Sequence, residues 1–205
     1  MIVVFGASGG VGNALFSHFK MLGENCIGTY NSNTISSSAG MVRLDITDEL
    51  AVSGFIKELN ISEPLYVINC VGVTDKCPIH KADLESWKSV VDINLIGAFN
   101  IARAVLPYMR ESGFGRMVNF GSIVSQRPVF GSSAYIVSKA ALVGFSKAIN
   151  VENANRGISA VTINLGYSDV GMIESVPSKI KDDIISASPY GRLCSMSEVI
   201  STVKY

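Results

Sequence analysis

The sequence predicts a three-layer α/β fold in which helices cover both faces of a parallel sheet. Short β-branched runs alternate with helical patterns along the whole chain. The run Leu65–Asn69 shows no alternation of apolar and polar residues, which is typical of a strand buried on both faces. With 205 residues, 48% of them hydrophobic, the chain is long enough for one domain with its own core. We therefore expect residues 1–205 to form a single doubly wound α/β domain.

The predicted elements follow one another as strand and helix. The predicted strands are Ile2–Phe5, Cys26–Thr29, Met41–Leu44, Leu65–Asn69, Arg116–Gly121 and Ile158–Ile163. After the first strand, apolar residues recur at helical spacing at Val11, Leu15, Phe19 and Leu22. Later helices are predicted over Asp48–Leu59, from about Leu84 to Glu111, over Ala134–Asn155 and from about Ser197. Asp48 is the expected cap of its helix.

Composition excludes several classes of function. The 17 basic and 17 acidic residues leave no net charge, so neither nucleic acid nor an anionic membrane is an expected partner. No uninterrupted apolar run approaches the roughly 18 residues of a membrane span. The start Met1–Phe5 lacks the features of a secretory signal, so we expect a cytoplasmic protein. The four cysteines show no C-x-x-C spacing, and no metal site is expected.

A glycine-rich turn lies between the first predicted strand and the first predicted helix. It reads Gly6-Ala7-Ser8-Gly9-Gly10-Val11-Gly12. Residues without a Cβ let the backbone approach a pyrophosphate, and the helix N-terminus offers free N–H groups. This placement after a strand predicts a dinucleotide-binding, Rossmann-type fold. Its expected cofactor contacts are Gly6, Ser8, Gly9, Gly10, Val11 and Gly12.

Four polar residues are candidates for catalysis. Tyr135 and Lys139 are four residues apart, so both project from one face of a predicted helix. A phenol with a pKa near 10 is a poor acid–base catalyst at neutral pH unless a nearby positive charge lowers that pKa. Pairs with this spacing also occur by chance on surfaces. Ser122 ends the fifth strand, and Asn94 interrupts an apolar helical run where asparagine is unfavourable, although a satisfied helix asparagine would look the same.

The glycine spacing resembles that of the short-chain dehydrogenase/reductase family. Gly6, Gly10 and Gly12 fit its G-x-x-x-G-x-G pattern, and the resemblance extends from Ile2 to about Val203. It implies a catalytic tetrad made of Asn94, Ser122, Tyr135 and Lys139. In that tetrad the tyrosine transfers the proton and the serine orients the carbonyl. The lysine lowers the tyrosine pKa and holds the nicotinamide ribose, and the asparagine anchors a proton-relay water.

The same resemblance implies further cofactor contacts. They are Asn69, Val71 and Gly72 after the fourth strand, Asp45 and Ile46 after the third, Gly166 after the sixth, and Tyr135 and Lys139 themselves. Asp45 is also explained as a strand-end residue that starts a turn. The segment after the sixth strand departs from the family pattern. Leu165 replaces the usual proline, and Val170 stands near the place of a threonine that contacts the nicotinamide.

The end of the second strand favours NADP(H) over NAD(H). NAD-dependent proteins place a carboxylate there to bind the ribose hydroxyls. Here the stretch contains Tyr30, Asn31 and Ser32, which have no charge to repel a 2′-phosphate. Against this, Gly9 stands where NADP-dependent family members often have a basic residue. Arg43 is a candidate to replace that basic residue, and an exposed strand residue without a cofactor contact is an equally good explanation of Arg43.

These observations predict an NADP(H)-dependent oxidoreductase that transfers a hydride between nicotinamide and a carbonyl or secondary alcohol. The alternative is a non-catalytic dinucleotide-binding or scaffold protein on the same fold. An epimerase of the extended family is disfavoured by the glycine spacing and the length. The substrate walls are expected in Ile123–Phe130 and Tyr167–Pro189, and the nearest resemblance is to 3-oxoacyl-carrier-protein reductases. The family resemblance also implies a homodimer or homotetramer.

The predicted last helix runs into Lys204-Tyr205 with no capping glycine and no strand after it. Members of the family continue for several dozen residues, with a seventh strand and a C-terminal segment. We therefore expect the last strand and the C-terminal segment of the fold to be absent from this chain.

Overall fold

The computed structural model describes residues 1–32 and 40–204. Within them, six parallel strands form one sheet in the order β3-β2-β1-β4-β5-β6. The strands are β1 (Ile2–Phe5), β2 (Cys26–Tyr30), β3 (Met41–Arg43), β4 (Tyr66–Asn69), β5 (Gly115–Ser122) and β6 (Ile158–Leu165). The strand order reverses between β1 and β4, which is the point where ligands bind in doubly wound sheets. The predicted fold class is confirmed.

The helices alternate with these strands. They are α1 (Gly10–Met21), α2 (Glu49–Glu58), α3 (Leu84–Val91), α4 (Gly97–Ser112), α5 (Ser133–Asn153), α6 (Ser178–Ala187) and α7 (Met196–Lys204). The expected single helix from Leu84 to Glu111 is in fact two helices joined by a π-helical turn, Asp92–Ile96. Hydrophobic periodicity does not distinguish a π turn from an α-helix, because one extra residue barely shifts the apolar stripe. The expected cap is confirmed, since Asp48 accepts a hydrogen bond from the Ala51 N–H.

Successive side chains of each strand point to opposite faces of the sheet, and helices pack on both faces. Val3 and Phe5 of β1 point to one face and pack in a cluster with residues of α2, α4 and α5. Val4 points to the other face, where it packs with residues of α1 and α7. Both faces of the central strands are therefore buried, which explains why Leu65–Asn69 shows no alternation.

One helical run resembles a membrane span in composition. Across the described residues, Leu84–Ser112 is long and apolar enough to cross a membrane by those criteria alone. Its second part, α4, contributes Ile101, Val105 and Met109 to the core cluster. Because a buried core helix passes the same test, the run is weak evidence for a membrane span.

Candidate active site

The candidate residues meet at the carboxyl ends of β1, β4 and β5. The glycine turn follows β1, the segment Cys70–Val73 follows β4, and Ser122 is the last residue of β5. The first turns of helix α5 contribute Tyr135 and Lys139. The sheet topology thus brings together side chains that are far apart in sequence.

The glycine turn requires glycine at several positions for different reasons. Gly6 adopts a φ of +76°, which L side chains rarely take. A Cβ at Gly12 would clash with the carbonyl of Gly6, so the first turn of α1 packs directly on the turn before it. A Cβ at Gly10 would lie 2.6 Å from the Gly171 nitrogen, because the segment after β6 crosses this turn. The turn therefore depends on close packing of backbone against backbone, which side chains would prevent.

A cavity of about 610 Å³ opens beside the glycine turn. The expected cofactor contacts that line it are Gly6, Ser8, Gly9, Tyr30, Asn31, Ser32, Asp45, Ile46, Val71 and Gly72. Its volume is typical of small-molecule and cofactor sites. The cavity runs from the helix N-terminus to the ends of β2 and β3, as an extended dinucleotide requires. The residues present therefore fit a nicotinamide dinucleotide.

Asp45 is held at the far end of this cavity by its own turn. Its carboxylate accepts hydrogen bonds from the Thr47 N–H at 2.9 Å and from the Thr47 hydroxyl at 2.7 Å. These bonds from Thr47 keep the pKa of Asp45 below its ordinary value. The explanation of Asp45 as a turn residue and its expected role as a cofactor contact are therefore compatible.

The remaining expected cofactor contacts lie outside the cavity wall. Gly10, Val11 and Gly12 belong to α1, and Gly166 is exposed directly after β6. Asn69 is buried beneath the cavity, where its Oδ1 accepts a hydrogen bond from the Val71 N–H at 3.1 Å. Asn69 thus supports the loop that lines the cavity rather than lining it.

Tyr135, Ser122 and Lys139 form a compact group. The phenol of Tyr135 shares a hydrogen bond with the Ser122 side chain. Ser122 Oγ accepts a bond from the Val124 N–H, so its own proton remains available to donate. Lys139 Nζ lies 5.8 Å from the centre of the Tyr135 ring. Burial raises the pKa of Tyr135 above its ordinary value, with the Ser122 bond opposing that effect.

Lys139 is buried without a carboxylate partner among the described residues. Its Nζ donates to the carbonyl of Phe120 at 2.8 Å and to the carbonyl of Val71 at 3.2 Å. Burial lowers the pKa of Lys139 to about 8. Gly72 leaves the room for this ammonium, because a Cβ there would lie 2.9 Å from Nζ.

Asn94 is fully engaged by the structure around it. Its Oδ1 accepts from the Val73 N–H at 2.8 Å, and its Nδ2 donates to the Val73 carbonyl at 2.9 Å and to Ser138 Oγ at 3.0 Å. Ser138 Oγ in turn donates to the Tyr135 carbonyl. The π turn places Asn94 where it joins the loop after β4 to the first turns of α5.

Ser138, which was not singled out from sequence, and two residues of the segment after β6 are further neighbours of the site. Ser138 lies between Tyr135 and Lys139 in the chain, and only its bond to Asn94 identifies it. Tyr167, expected as part of a substrate wall, lies close enough to Tyr135 to act on its ionisation. Ser168 Oγ donates to the carbonyl of Val170 at 3.0 Å, so its hydroxyl stabilises the loop that lacks the usual threonine.

The arrangement can perform acid–base chemistry next to a bound dinucleotide. A phenol, a hydroxyl and an ammonium lie together, and the ammonium contacts Val71 and Gly72, which line the cavity beside the glycine turn. In the described ranges, no group of three or more His, Cys, Asp or Glu side chains is placed to hold a metal ion.

Comparison with known proteins gives consistent matches. Residues 1–181 match the family described as short chain dehydrogenase. The chain is similar to acetoacetyl-CoA reductase of Shinella zoogloeoides, with 30% identity over 213 residues that cover 99% of this chain and 88% of the relative. It is also similar to 3-oxoacyl-(acyl-carrier-protein) reductase FabG of Pseudomonas aeruginosa, with 29% identity over 217 residues, 99% of this chain and 87% of the relative. Both relatives are reductases by name.

The buried Lys139 predicts a pH dependence of stability. Its pKa is about 8 in the folded protein, below its ordinary 10.5, so the unfolded chain binds the proton more tightly between these values. The free energy of unfolding that Lys139 contributes therefore rises with pH across this window. Relative to a Lys139→Met variant, the unchanged protein should gain about 2 kcal/mol between about pH 7 and about pH 10. Urea unfolding of both proteins at the two pH values measures this difference, and a constant difference would contradict the burial of a titrating ammonium.

Proposed function

This chain belongs to the short-chain dehydrogenase family, and we propose that it uses NADPH to reduce the ketone of 3-oxoacyl thioesters. Family and relatives make it an NAD(P)-dependent oxidoreductase that acts on C=O or CH–OH groups. The observation that carries the proposal is the group formed by Tyr135, Ser122 and Lys139 beside the dinucleotide-sized cavity. The alternative of a non-catalytic scaffold has no support from relatives that are named as reductases.

Tyr135 is the proposed general acid in the direction of reduction. The nicotinamide, when bound, supplies the hydride to the carbonyl carbon. The Tyr135 phenol gives its proton to the carbonyl oxygen, and in the reverse direction the phenolate takes it back. Ser122 donates a hydrogen bond to the same oxygen, since the Val124 N–H already occupies Ser122 Oγ as an acceptor.

Lys139 and Asn94 are the proposed supports of that proton transfer. The Lys139 ammonium lies 5.8 Å from the centre of the Tyr135 ring. We propose that this positive charge favours the phenolate during the reaction, against the upward effect of burial on the Tyr135 pKa. We propose that Lys139 also holds the nicotinamide ribose. Asn94 holds Val73 and Ser138 in place, and we propose that it anchors the water that returns the proton to the site.

The other proposed cofactor contacts divide the dinucleotide between the strand ends. Gly6, Ser8, Gly9, Gly10, Val11 and Gly12 would hold the pyrophosphate at the N-terminus of α1. Asp45 and Ile46 would contact the adenine, and Val71, Gly72 and Gly166 would contact the nicotinamide half, with Asn69 supporting Val71.

The preference for NADPH rests on the end of β2. Asn31 and Ser32 line the cavity and are exposed, so both can donate hydrogen bonds to a 2′-phosphate. Arg43 pairs with Tyr30 in the register of β2 and β3 and is also exposed. An exposed guanidinium at this edge of the cavity adds a positive charge that suits a phosphate.

The substrate class rests on the relatives and on the two walls. Both named relatives act on 3-oxoacyl thioesters by name. Ile123–Phe130 ends in Val129 and Phe130, which are exposed, and Tyr190 is exposed beyond the other wall. Exposed apolar side chains in these expected substrate walls suit the acyl chain of such a substrate.

We also propose a cytoplasmic homo-oligomer built from one domain. All described strands belong to one sheet, as a single domain requires. The four cysteines are free thiols, which suits a reducing compartment. Phe99 of α4 and Val137 of α5 are nearly half exposed on the outer face of the site helices. Such apolar side chains suit packing against a second copy as a homodimer or homotetramer.

Replacing Tyr135 with phenylalanine tests the proposed acid. Tyr135→Phe removes one hydroxyl, so turnover of acetoacetyl-CoA should fall by about 10²-fold or more, since a positioned proton donor contributes that much. The dissociation constant of NADPH should stay within about 2-fold, because the ring remains. Loss of NADPH absorbance measures turnover, and fluorescence measures binding.

Tyr108→Phe is the matched control for this experiment. Tyr108 packs against the core from α4 and is not among the site residues. Its variant should retain turnover. Full activity of Tyr135→Phe would contradict the proposed mechanism.

Binding of the two cofactors tests the proposed preference. NADPH should bind at least about 10-fold more tightly than NADH, which corresponds to one phosphate held by about 1.4 kcal/mol of hydrogen bonds and charge. Ser32→Asp should weaken the binding of NADPH more than that of NADH, because its carboxylate repels the 2′-phosphate. Ser32→Asn adds no charge and should leave the preference unchanged. Titration calorimetry with both cofactors measures the constants, and tighter binding of NADH by the unchanged protein would overturn the preference.

A further inference from the structure

A row of polar side chains crosses the sheet beneath the candidate site. Asn69 of β4, Asn119 of β5 and Thr162 of β6 are direct partners in the strand register. Asn69 and Asn119 are almost completely buried, on the face of the sheet that α5 covers. Buried amides are costly unless hydrogen-bonded, so this row calls for a specific role.

The row is joined to α5 by consecutive hydrogen bonds. Asn69 Nδ2 donates to Asn119 Oδ1 at 3.3 Å, and Asn119 Nδ2 donates to Ser146 Oγ at 3.2 Å. Ser146 and Thr162 share a bond of 2.8 Å, and Thr162 Oγ1 donates to the Leu142 carbonyl at 2.9 Å. We call these four side chains, Asn69, Asn119, Ser146 and Thr162, the buried chain.

The two ends of the buried chain determine its direction. At one end the Val71 N–H can only donate, and it donates to Asn69 Oδ1. At the other end the Leu142 carbonyl can only accept. Every link between them must therefore donate in the same sense, which orients both amides and assigns the Ser146 proton to Thr162.

Both ends of the buried chain lie next to Lys139. Val71, whose N–H starts it, accepts a hydrogen bond from Lys139 Nζ through its own carbonyl. Phe120, the second acceptor of Lys139, directly follows Asn119 in β5. Leu142, whose carbonyl ends the buried chain, is less than one helical turn from Lys139 on α5. The buried chain thus links the two acceptors of the ammonium to the helix that carries it.

We infer that the buried chain positions Lys139, and that Asn119 and Ser146 are positioning residues for the proposed reaction. Their bond sets how closely α5 approaches β5, and Asn69 sets the place of the Val71 carbonyl. Without them the ammonium shifts relative to Tyr135 and to the cofactor ribose. This inference rests on the proposed function for the role of Lys139, and on the recorded hydrogen bonds for its geometry.

Asn150 provides a matched control on the same helix. Its side chain also ties α5 to β6, through bonds of 2.8 Å and 2.7 Å to the carbonyl and N–H of Ala160. It lies eleven residues beyond Lys139, about three turns away, and touches neither acceptor of the ammonium. Asn150→Ala therefore removes a comparable anchor of α5 without altering the surroundings of Lys139.

The experiment compares Asn119→Ala, Ser146→Ala and Asn150→Ala in the full chain. We expect all three to lower the midpoint of thermal unfolding. Only the first two should weaken NADPH binding by about 5-fold and raise the apparent pKa of the kcat/KM profile by about 0.5 to 1, because the ammonium favours the phenolate less. For Asn150→Ala, the dissociation constant of NADPH should stay within about 2-fold of the wild-type value, and the apparent pKa of the kcat/KM profile should not change.

The titratable groups that face Tyr135 and Lys139 do not account for a difference in the kcat/KM pH profile between the variants. Cys70 lies against Lys139, and burial raises the pKa of its thiol to about 12, so it stays protonated through the measured range. Tyr167 faces Tyr135 and is unchanged in every variant.

Several outcomes overturn the inference. If Asn119→Ala and Ser146→Ala match Asn150→Ala in both binding and pH profile, the buried chain is structural only. Should Asn119→Ala fail to fold, Ser146→Ala breaks the same link through a smaller change and decides the question. A wild-type protein that binds NADPH but turns over no ketone would refute the proposed function, while the binding comparison would still test the inference.

Discussion

The burial of one ammonium group, which has no carboxylate partner in the part of the chain that the structure describes, is the constraint around which the site is organised. Lys139 donates to the carbonyls of Phe120 and Val71, of which the first lies in β5 and the second in the segment after β4. An unpaired buried charge is costly, so both acceptors have to be held accurately. That requirement connects the ends of β4 and β5 with the first turns of α5, and it places the phenol of Tyr135 beside the ammonium.

Close backbone approach is the second constraint, and it operates at two glycines of the site. Gly12 lets the first turn of α1 lie against the Gly6 carbonyl. Gly72 leaves the space that the Lys139 ammonium fills. A side chain at either position would displace backbone or charge, so these glycines serve packing as well as ligand approach.

The sequence predicts most of the fold because its signals are local. The strand Ile2–Phe5, the cap at Asp48 and the glycine turn each depend on a few adjacent residues, and the structure agrees with all three. The π turn around Asn94 was missed, because hydrophobic periodicity is nearly the same with or without one extra residue. Tyr135 and Lys139 were recognisable from their spacing on one helix face.

The supporting contacts depended on tertiary structure and had no sequence signal of their own. Ser138 and Ser146 read as ordinary helix serines, and only the register that pairs Asn69 with Asn119 shows why they are buried. Partners that lie dozens of residues apart meet only when the strand order is known. Sequence patterns therefore located the proposed catalytic groups, whereas the hydrogen bonds that hold them required the structure.

Isotope transfer tests the central claim most directly. The protein is incubated with acetoacetyl-CoA and NADPH carrying deuterium at both positions of nicotinamide carbon 4, and the product is analysed by mass spectrometry. The account predicts a 3-hydroxybutyryl product with deuterium at the former carbonyl carbon, formed by the wild-type protein and formed about 10²-fold or more slowly by Tyr135→Phe. Recovery of acetoacetyl-CoA without deuterated alcohol, under conditions in which NADPH is bound, would contradict it.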